Sequence, residues 1–240
     1  MKDDQLSINL GSVGNAFTQG GNRLCFYHPL DPNICIKVPR PDRTPELRRK
    51  QKSFPKSLKP LSRFDENFLE WREVQTINRL IGREAFALIP YYYGMVNTNL
   101  GQGLSCEMIR DGDGKISLSL KQYLWEHGLD KIVKAALSQF SKRWVDLGMP
   151  SRDLLLHNMV LQQKSQEQPE ARIVVVDGLG WSGLAAIGYY CKWAARRRAA
   201  KKITRLQEAI TRLLSIKQQQ GAWGYHGWLD EKQRLVDSHE

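Results

Sequence analysis

Cysteine is scarce in this chain and never paired in sequence. Cys25, Cys35, Cys106 and Cys191, four among 240 residues, form no Cys-x-x-Cys unit, so they read as reduced, mostly buried thiols of a cytosolic protein. Long apolar runs are missing too. None approaches the roughly 20 residues that span a bilayer, and Met1-Lys2-Asp3-Asp4-Gln5 lacks the basic start and apolar core of a signal peptide. A cytoplasmic location is therefore expected. No internal repeat is visible, and no Arg-Gly-Phe-type or zinc-finger motif supports sequence-reading of nucleic acid. His157 has no second His or Cys at ligand spacing, and a lone His of this kind is more often structural than metal-binding.

Acid is short in two particular places. The formal net charge is +11, yet Arg40 to Arg63 holds nine Lys and Arg against two acids, and Lys192 to Arg205 holds seven basic residues and no acid. Each stretch contributes +7, which leaves −3 for the remainder. The first carries three prolines between Thr44 and Pro60 and weak periodicity, so it reads as an exposed, flexible insertion at about 40–63. The second has a helical apolar stripe, Ile203, Leu206, Ile210 and Leu213. Its Arg196, Arg197, Arg198, Lys201 and Lys202 crowd within about two turns at 1.5 Å rise per residue. Such a run is either a solvated face or a contact for an anionic partner, which could be a phosphorylated sugar, an anionic lipid head group or a nucleic acid.

What is present begins with two acidic loops. One is Ser151-Arg152-Asp153-Leu154-Leu155-Leu156-His157-Asn158, leading into Met159-Val160-Leu161; the other is Asp177-Gly178-Leu179-Gly180, following Ile173-Val174-Val175-Val176. Together they resemble the catalytic and metal loops of a protein-kinase-like site. Phosphoryl transfer uses one carboxylate at the acceptor hydroxyl, and an amide and a second carboxylate on the magnesium ions that bridge the ATP phosphates. The roles fall to Asp153, Asn158 and Asp177. Taken alone, the first loop also fits an N-cap Asp with Asn158 in a turn.

A kinase reading demands a strand Lys and a helix acid upstream. Arg23 to Tyr27 reads as a strand, His28 to Asn33 as a turn, and Ile34-Cys35-Ile36-Lys37-Val38 as a short central strand closed by Pro39. Lys37 there is either the phosphate-binding Lys, which needs a partner because an unpaired buried ammonium is costly, or a solvent-facing Lys. Phe68, Trp71, Val74 and Ile77 recur every three residues and predict a helix over Asn67 to Leu80. Of its acids Glu70 and Glu73, Glu73 is the expected partner of Lys37. Gly20 and Gly21, in Thr18-Gln19-Gly20-Gly21-Asn22, either let backbone N–H groups approach a phosphate or make an ordinary hairpin turn. Met108-Ile109 is the expected hinge, its backbone meeting adenine. Ser119-Leu120-Lys121-Gln122 resembles a capping box. The stripe of Val133, Leu137, Phe140, Trp144 and Leu147 is read as core of the helix before the catalytic loop.

Several segments are more particular than any kinase loop: Arg23-Leu24-Cys25-Phe26-Tyr27-His28-Pro29, Cys35-Ile36-Lys37, Ile89-Pro90-Tyr91-Tyr92-Tyr93-Gly94, Asn97-Thr98-Asn99-Leu100-Gly101-Gln102-Gly103, Ile109-Arg110-Asp111 and Lys192-Trp193-Ala194-Ala195-Arg196-Arg197. On these the chain resembles the PhoP regulatory network protein YrbL family, a small bacterial group with a protein-kinase-like fold, from about residue 17 to about 210. The resemblance implies an α+β, bilobal kinase-like domain. Its β-rich N-lobe with one helix would span 1–109, and its reduced, mainly helical C-lobe 110–240. It supplies no substrate. The sequence departs from full kinases in three respects: there is no clean Gly-x-Gly-x-x-Gly, no Phe in Asp-x-Leu-Gly, and no Ala-Pro-Glu among the 63 residues after Asp177.

Two functions follow as expectations. One is an ATP- and Mg2+-dependent phosphotransferase, with Lys37 on the phosphates, Glu73 positioning Lys37, Asp153 taking the hydroxyl proton, and Asn158 and Asp177 on the metal. The short tail after Asp177 favours a small-molecule or lipid-linked sugar acceptor over a folded protein. The other is a nucleotide-binding pseudokinase or scaffold acting through its basic surfaces, with peripheral contact to anionic lipid as one option.

Overall fold

The computed structural model describes residues 7–164, 170–181, 189–224 and 226–235; the leading Met1–Gln5 segment lies outside them. The chain forms two compact units. One is Met1–Glu73 with Tyr91–Met108, and the other is Val74–Pro90 with Ile109–Glu240. The class is α+β.

The first unit is built on a five-stranded antiparallel sheet in the order β1-β2-β3-β5-β4. Its strands are β1 (Thr18–Gln19), β2 (Arg23–His28), β3 (Asp31–Pro39), β4 (Tyr92–Thr98) and β5 (Gly101–Glu107). Alternation sorts the two faces. Leu24 and Phe26 on β2 and Ile36 and Val38 on β3 pack with Leu10 into one apolar cluster. Arg23, Cys25 and Lys37, set between them in sequence, fall to the opposite face. Strand β3 is central, and it starts earlier than its apolar run suggests. Asp31 bends the entry locally, its Oδ1 accepting from the Asn33 N–H at 2.8 Å, so only Pro29 and Leu30 remain in the turn.

The basic insertion is ordered, contrary to the flexible segment expected. Pro45 does not break structure here; it occupies the first turn of helix α1 (Pro45–Lys50), where a missing N–H costs nothing. Thr44 caps that helix by accepting from Leu47 N. Arg48 ties it down, donating to Phe64 O at 2.8 Å and pairing with Glu66 at 2.9 Å. Helix α2 (Glu66–Leu80) follows and contributes its residues through Glu73 to this unit.

The second unit is mainly helical, with a hairpin of β6 (Met159–Gln163) and β7 (Ala171–Val175). Ser119 caps helix α3 (Leu120–His127) by accepting from Gln122 N at 3.0 Å, the first half of the expected capping box; the Gln122 side chain turns instead to Glu126 and the Leu229 backbone. Helix α4 (Lys131–Leu147) buries Val133, Phe140 and Trp144. It ends at Gly148, whose φ of +64° is left-handed and whose added Cβ would stand 2.7 Å from Ala195 Cβ. That close approach lets the basic helix α5 (Lys192–Gln218) pass the start of the loop that carries Asp153. The stripe Ile203, Leu206, Ile210 and Leu213 is buried. A short helix α6 (Glu231–Arg234) closes the described chain. No helix among the described residues is long and apolar enough to cross a membrane.

Candidate functional site

In the first unit the expected Lys is buried and paired. Lys37, 6% exposed, places its Nζ 2.7 Å from Glu70 Oε1. The partner is Glu70, not the expected Glu73. The reason is helical pitch: the buried face of α2 runs Asn67, Glu70, Val74, Ile77, steps of three and four that track 3.6 residues per turn. Two polar residues occupy that inner face, so the apolar stripe alone does not reveal it. Glu73 sits one residue, about 100°, away from Val74 and is half-buried.

Glu70 is the centre of a larger cluster that sequence reasoning missed. Arg23 Nη1 lies 2.6 Å from its Oε2, and the Tyr92 hydroxyl donates to its Oε1 at 2.6 Å. Asn67 clamps the strand, donating from Nδ2 to Lys37 O at 2.8 Å. The signal for Arg23 was its in-phase position with Lys37 on the polar face of β2. Burial, the largest single effect, would lower the Lys37 pKa, but the charge of Glu70 together with Tyr92 and Cys106 holds the ammonium well above its ordinary value. Burial, and then the Glu70 charge, push the Tyr92 phenol up.

Gly20, Gly21 and Met108 of this unit, and Ile109 of the other, are the remaining residues expected to meet a nucleotide. Gly20 and Gly21 form the β1–β2 turn, with Gly20 N donating to Arg23 O at 2.8 Å, and an added Cβ on Gly21 would meet nothing within 4 Å. Met108 and Ile109 are buried, and the Met108 N–H donates to Asn33 O at 2.7 Å. The Ile109 carbonyl accepts from Ser117 N at 3.0 Å.

In the second unit the two acidic loops are zipped together. Arg152 N donates to Gly178 O at 2.8 Å, Gly180 N to Pro150 O at 3.2 Å, and Ser151 bridges Leu179. Val176 N donates to Asn158 O at 2.9 Å, which sets Asn158 beside the residue preceding Asp177. Gly178 has φ +80°, and a Cβ there would lie 3.2 Å from Asp153 O and 3.6 Å from Asn158 Nδ2. Asp153, Asn158 and the Asp177–Gly178 turn therefore form one neighbourhood. Ser151, at the position where kinases usually carry His or Tyr, is 1% exposed. Asp177 Oδ1 accepts from its neighbouring Gly178 N at 2.6 Å.

Asp153 has company from helix α5. Lys202 Nζ stands 2.8 Å from Asp153 Oδ1 and also donates to Arg152 O, and Arg205 Nη1 is 4.0 Å from the same Asp153 oxygen. The acid that relieves the basic run therefore comes from the Asp153 loop, about 50 residues away in sequence, and no local pattern announces it. Arg196 Nε donates to Asp146 O at 2.9 Å. Arg197 lies over the Trp193 ring and Arg198 over Trp181, at 5.4 and 5.7 Å from the ring centroids, while Lys201 is exposed. Burial, then His226 and Lys121, lower the His157 pKa, against the opposing pull of Asp177.

Asn158 and Asp177 offer one amide and one carboxylate. Among the described residues no group of three or more His, Cys, Asp or Glu could hold a metal ion. Magnesium does not require such a cage, since it keeps several waters and is bound by one or two carboxylates plus substrate phosphates. The hard oxygen donors here fit that mode, and thiol or imidazole metals do not fit.

A family model described as PhoP regulatory network protein YrbL matches residues 12–211. The chain is 26% identical over 186 residues to the protein called Uncharacterized protein YrbL in Escherichia coli (strain K12), covering 75% of this chain and 77% of that one. The protein of the same name in Shigella flexneri matches with the same identity, 26%, and the same coverage.

Proposed function

The chain belongs to the PhoP regulatory network protein YrbL family, and on that footing we propose that it is an ATP-dependent, magnesium-assisted phosphotransferase with a protein-kinase-like bilobal fold, acting on a sugar hydroxyl. The observation that carries this reading is the pairing of the two acidic loops. Arg152 N to Gly178 O and Gly180 N to Pro150 O bring Asp153, Asn158 and Asp177 together. The buried Lys37–Glu70 pair supports it independently, because a strand Lys held by a helix Glu is what phosphate binding uses in kinases.

Asp153 acts as the base. The acceptor oxygen forms a bond to the γ-phosphorus, the bond from that phosphorus to the β–γ bridging oxygen breaks, and the electron pair leaves with ADP. The hydroxyl proton goes to the Asp153 carboxylate. Lys202, at 2.8 Å from Asp153, supplies positive charge where charge develops on the transferred group. Asn158 and Asp177 would hold Mg2+, which when bound neutralises the phosphate charge.

A second reading, a nucleotide-binding regulator without turnover, draws on the same contact: Lys202 already occupies the Asp153 carboxylate. One substitution separates the two. Asp153→Ala should leave ATP affinity nearly intact and abolish phosphate transfer. Unchanged turnover in that variant would refute the role of Asp153. A wild-type protein that binds ATP yet transfers phosphate to no sugar, lipid, peptide or water selects the regulator.

A further inference from the structure

A cavity of about 370 Å³ opens in the second unit, against the loop that carries Asp153. Leu156, three residues after Asp153, is part of its wall. Arg205, 4.0 Å from Asp153, is another part. Lys121 and Arg212 add two more cations, Glu208 a carboxylate, and Trp223 an aromatic ring. The volume is within the range of small-molecule sites, about 300–1,000 Å³.

The wall chemistry is specific. Arg205, Glu208 and Arg212 recur at three- and four-residue steps along α5, so one helix face presents both signs of charge. Among the described residues neither Arg212 nor Lys121 has a carboxylate partner, and Glu208 pairs with no cation. Lys121 instead donates to His226 O at 3.0 Å and lies 4.1 Å from the Trp223 ring centroid. Burial lowers its pKa, so an anion at this wall would be favourable. Trp223 is fixed by edge contacts from Trp125 and Trp228, at 5.4 and 5.0 Å between centroids. The segment after it is fastened too: Ser119 Oγ donates to Gly227 O, and Gln122 exchanges two hydrogen bonds with the Leu229 backbone.

We propose that this cavity is the acceptor site and that it takes a sugar bearing a phosphate, either free or as the head group of a glycolipid. The cations hold the phosphate. The Trp223 ring receives the apolar face of the sugar. The Glu208 carboxylate, out of place in a pure anion site, accepts from sugar hydroxyls. A nucleobase is a poorer fit, since no neutral amide or hydroxyl side chain lines the wall to read its edge. The ligand's role as acceptor rests on the phosphotransferase reading above; its binding does not.

The test is titration of the full chain with glucose 6-phosphate, glucose, inorganic phosphate and AMP, followed by intrinsic tryptophan fluorescence. Binding to phosphatidylcholine vesicles with and without a phosphorylated glycolipid is measured in parallel. Glucose 6-phosphate or the phosphorylated glycolipid should bind at least about tenfold more tightly than glucose or inorganic phosphate. Binding to the vesicles alone identifies the lipid-linked source, and binding of glucose 6-phosphate identifies the free one. The surface double variant Arg205→Gln/Arg212→Gln should lose about tenfold or more of that affinity, and Trp223→Phe should retain more of it than Trp223→Ala. Inorganic phosphate or AMP binding as tightly as the sugar phosphates, an unaffected double variant, or no binding in either arm would overturn the proposal. The ATP response, measured alongside, keeps the two claims apart. Sugar phosphate binding without an ATP response leaves the cavity standing and removes the phosphotransferase; the reverse outcome does the opposite.

Discussion

Replacing Glu70 should be among the most damaging single changes in the first unit, and replacing Glu73 should cost less. Glu70 is 2% exposed and its carboxylate meets Lys37 at 2.7 Å, Arg23 at 2.6 Å and the Tyr92 hydroxyl at 2.6 Å. Removing one partner of a buried ion pair costs about 3–5 kcal/mol because the remaining charge stays buried. Glu70→Ala strands two cations at once, so the loss belongs at the upper end and approaches the whole stability of a typical domain, about 5–15 kcal/mol. Glu70→Gln keeps one acceptor oxygen but still leaves both cations without a countercharge, so it should cost less than Glu70→Ala and still about 3 kcal/mol. The assay is urea unfolding of the wild type, Glu70→Gln and Glu73→Gln. With a slope of about 1–3 kcal/mol per molar urea, a loss of about 3 kcal/mol moves the midpoint by roughly 1 M or more. Glu73→Gln, at a half-buried helix position, should cost less, at most about 1 kcal/mol. A Glu73→Gln loss equal to or larger than that of Glu70→Gln would refute the assignment of Glu70 as the Lys37 partner.

Three further outcomes are expected. Gly178→Ala forces a side chain into φ +80° with its Cβ 3.2 Å from Asp153 O; it should cost about 1–3 kcal/mol, read as a lower melting temperature, and weaken magnesium-dependent nucleotide binding. Lys202→Met removes the cation 2.8 Å from Asp153 and should lower phosphate-transfer turnover by about a hundredfold with the ATP-induced melting shift retained, so loss of the shift instead would assign Lys202 to nucleotide binding. His157 has its pKa lowered from 6.5 by burial, His226 and Lys121, with Asp177 opposing. Its contribution is therefore present above pH 6.5 and lost as pH falls through the lower folded value. The melting temperature should drop more steeply on acidification in the wild type than in His157→Gln, and parallel curves would refute the assignment.

Much of the local structure was legible in the residues themselves. The strand around Lys37, the helix expected over Asn67 to Leu80, the Ser119 N-cap and the burial of Val133, Phe140 and Trp144 each follow from alternation, periodicity or capping chemistry. The two acidic loops were legible as a pair because one leads into an apolar strand and the other follows one. Long-range partnerships were not. Glu70 was hidden because the inner face of α2 is polar at two positions, so the apolar count through Val74 pointed to Glu73, three residues further on. Lys202 on Asp153 joins segments about 50 residues apart, and only the packing of α5 at Gly148 creates it. The prolines of the 40–63 segment misled in the other direction, since Thr44-Pro45 starts a helix instead of preventing one. The cavity beside Leu156 gathers side chains from α3, the catalytic loop, α5 and the segment after it, a set that no spacing rule connects.

The proposed binding of a magnesium nucleotide is tested most directly by thermal unfolding with a non-hydrolysable ATP analogue. With magnesium present, the analogue should stabilise the protein by about 2.7 kcal/mol at a hundredfold excess over its dissociation constant, and Asp177→Asn should remove the magnesium dependence of that gain. An unchanged melting temperature with every nucleotide at about millimolar concentration, a level where even a millimolar site binds, with and without magnesium, would contradict it.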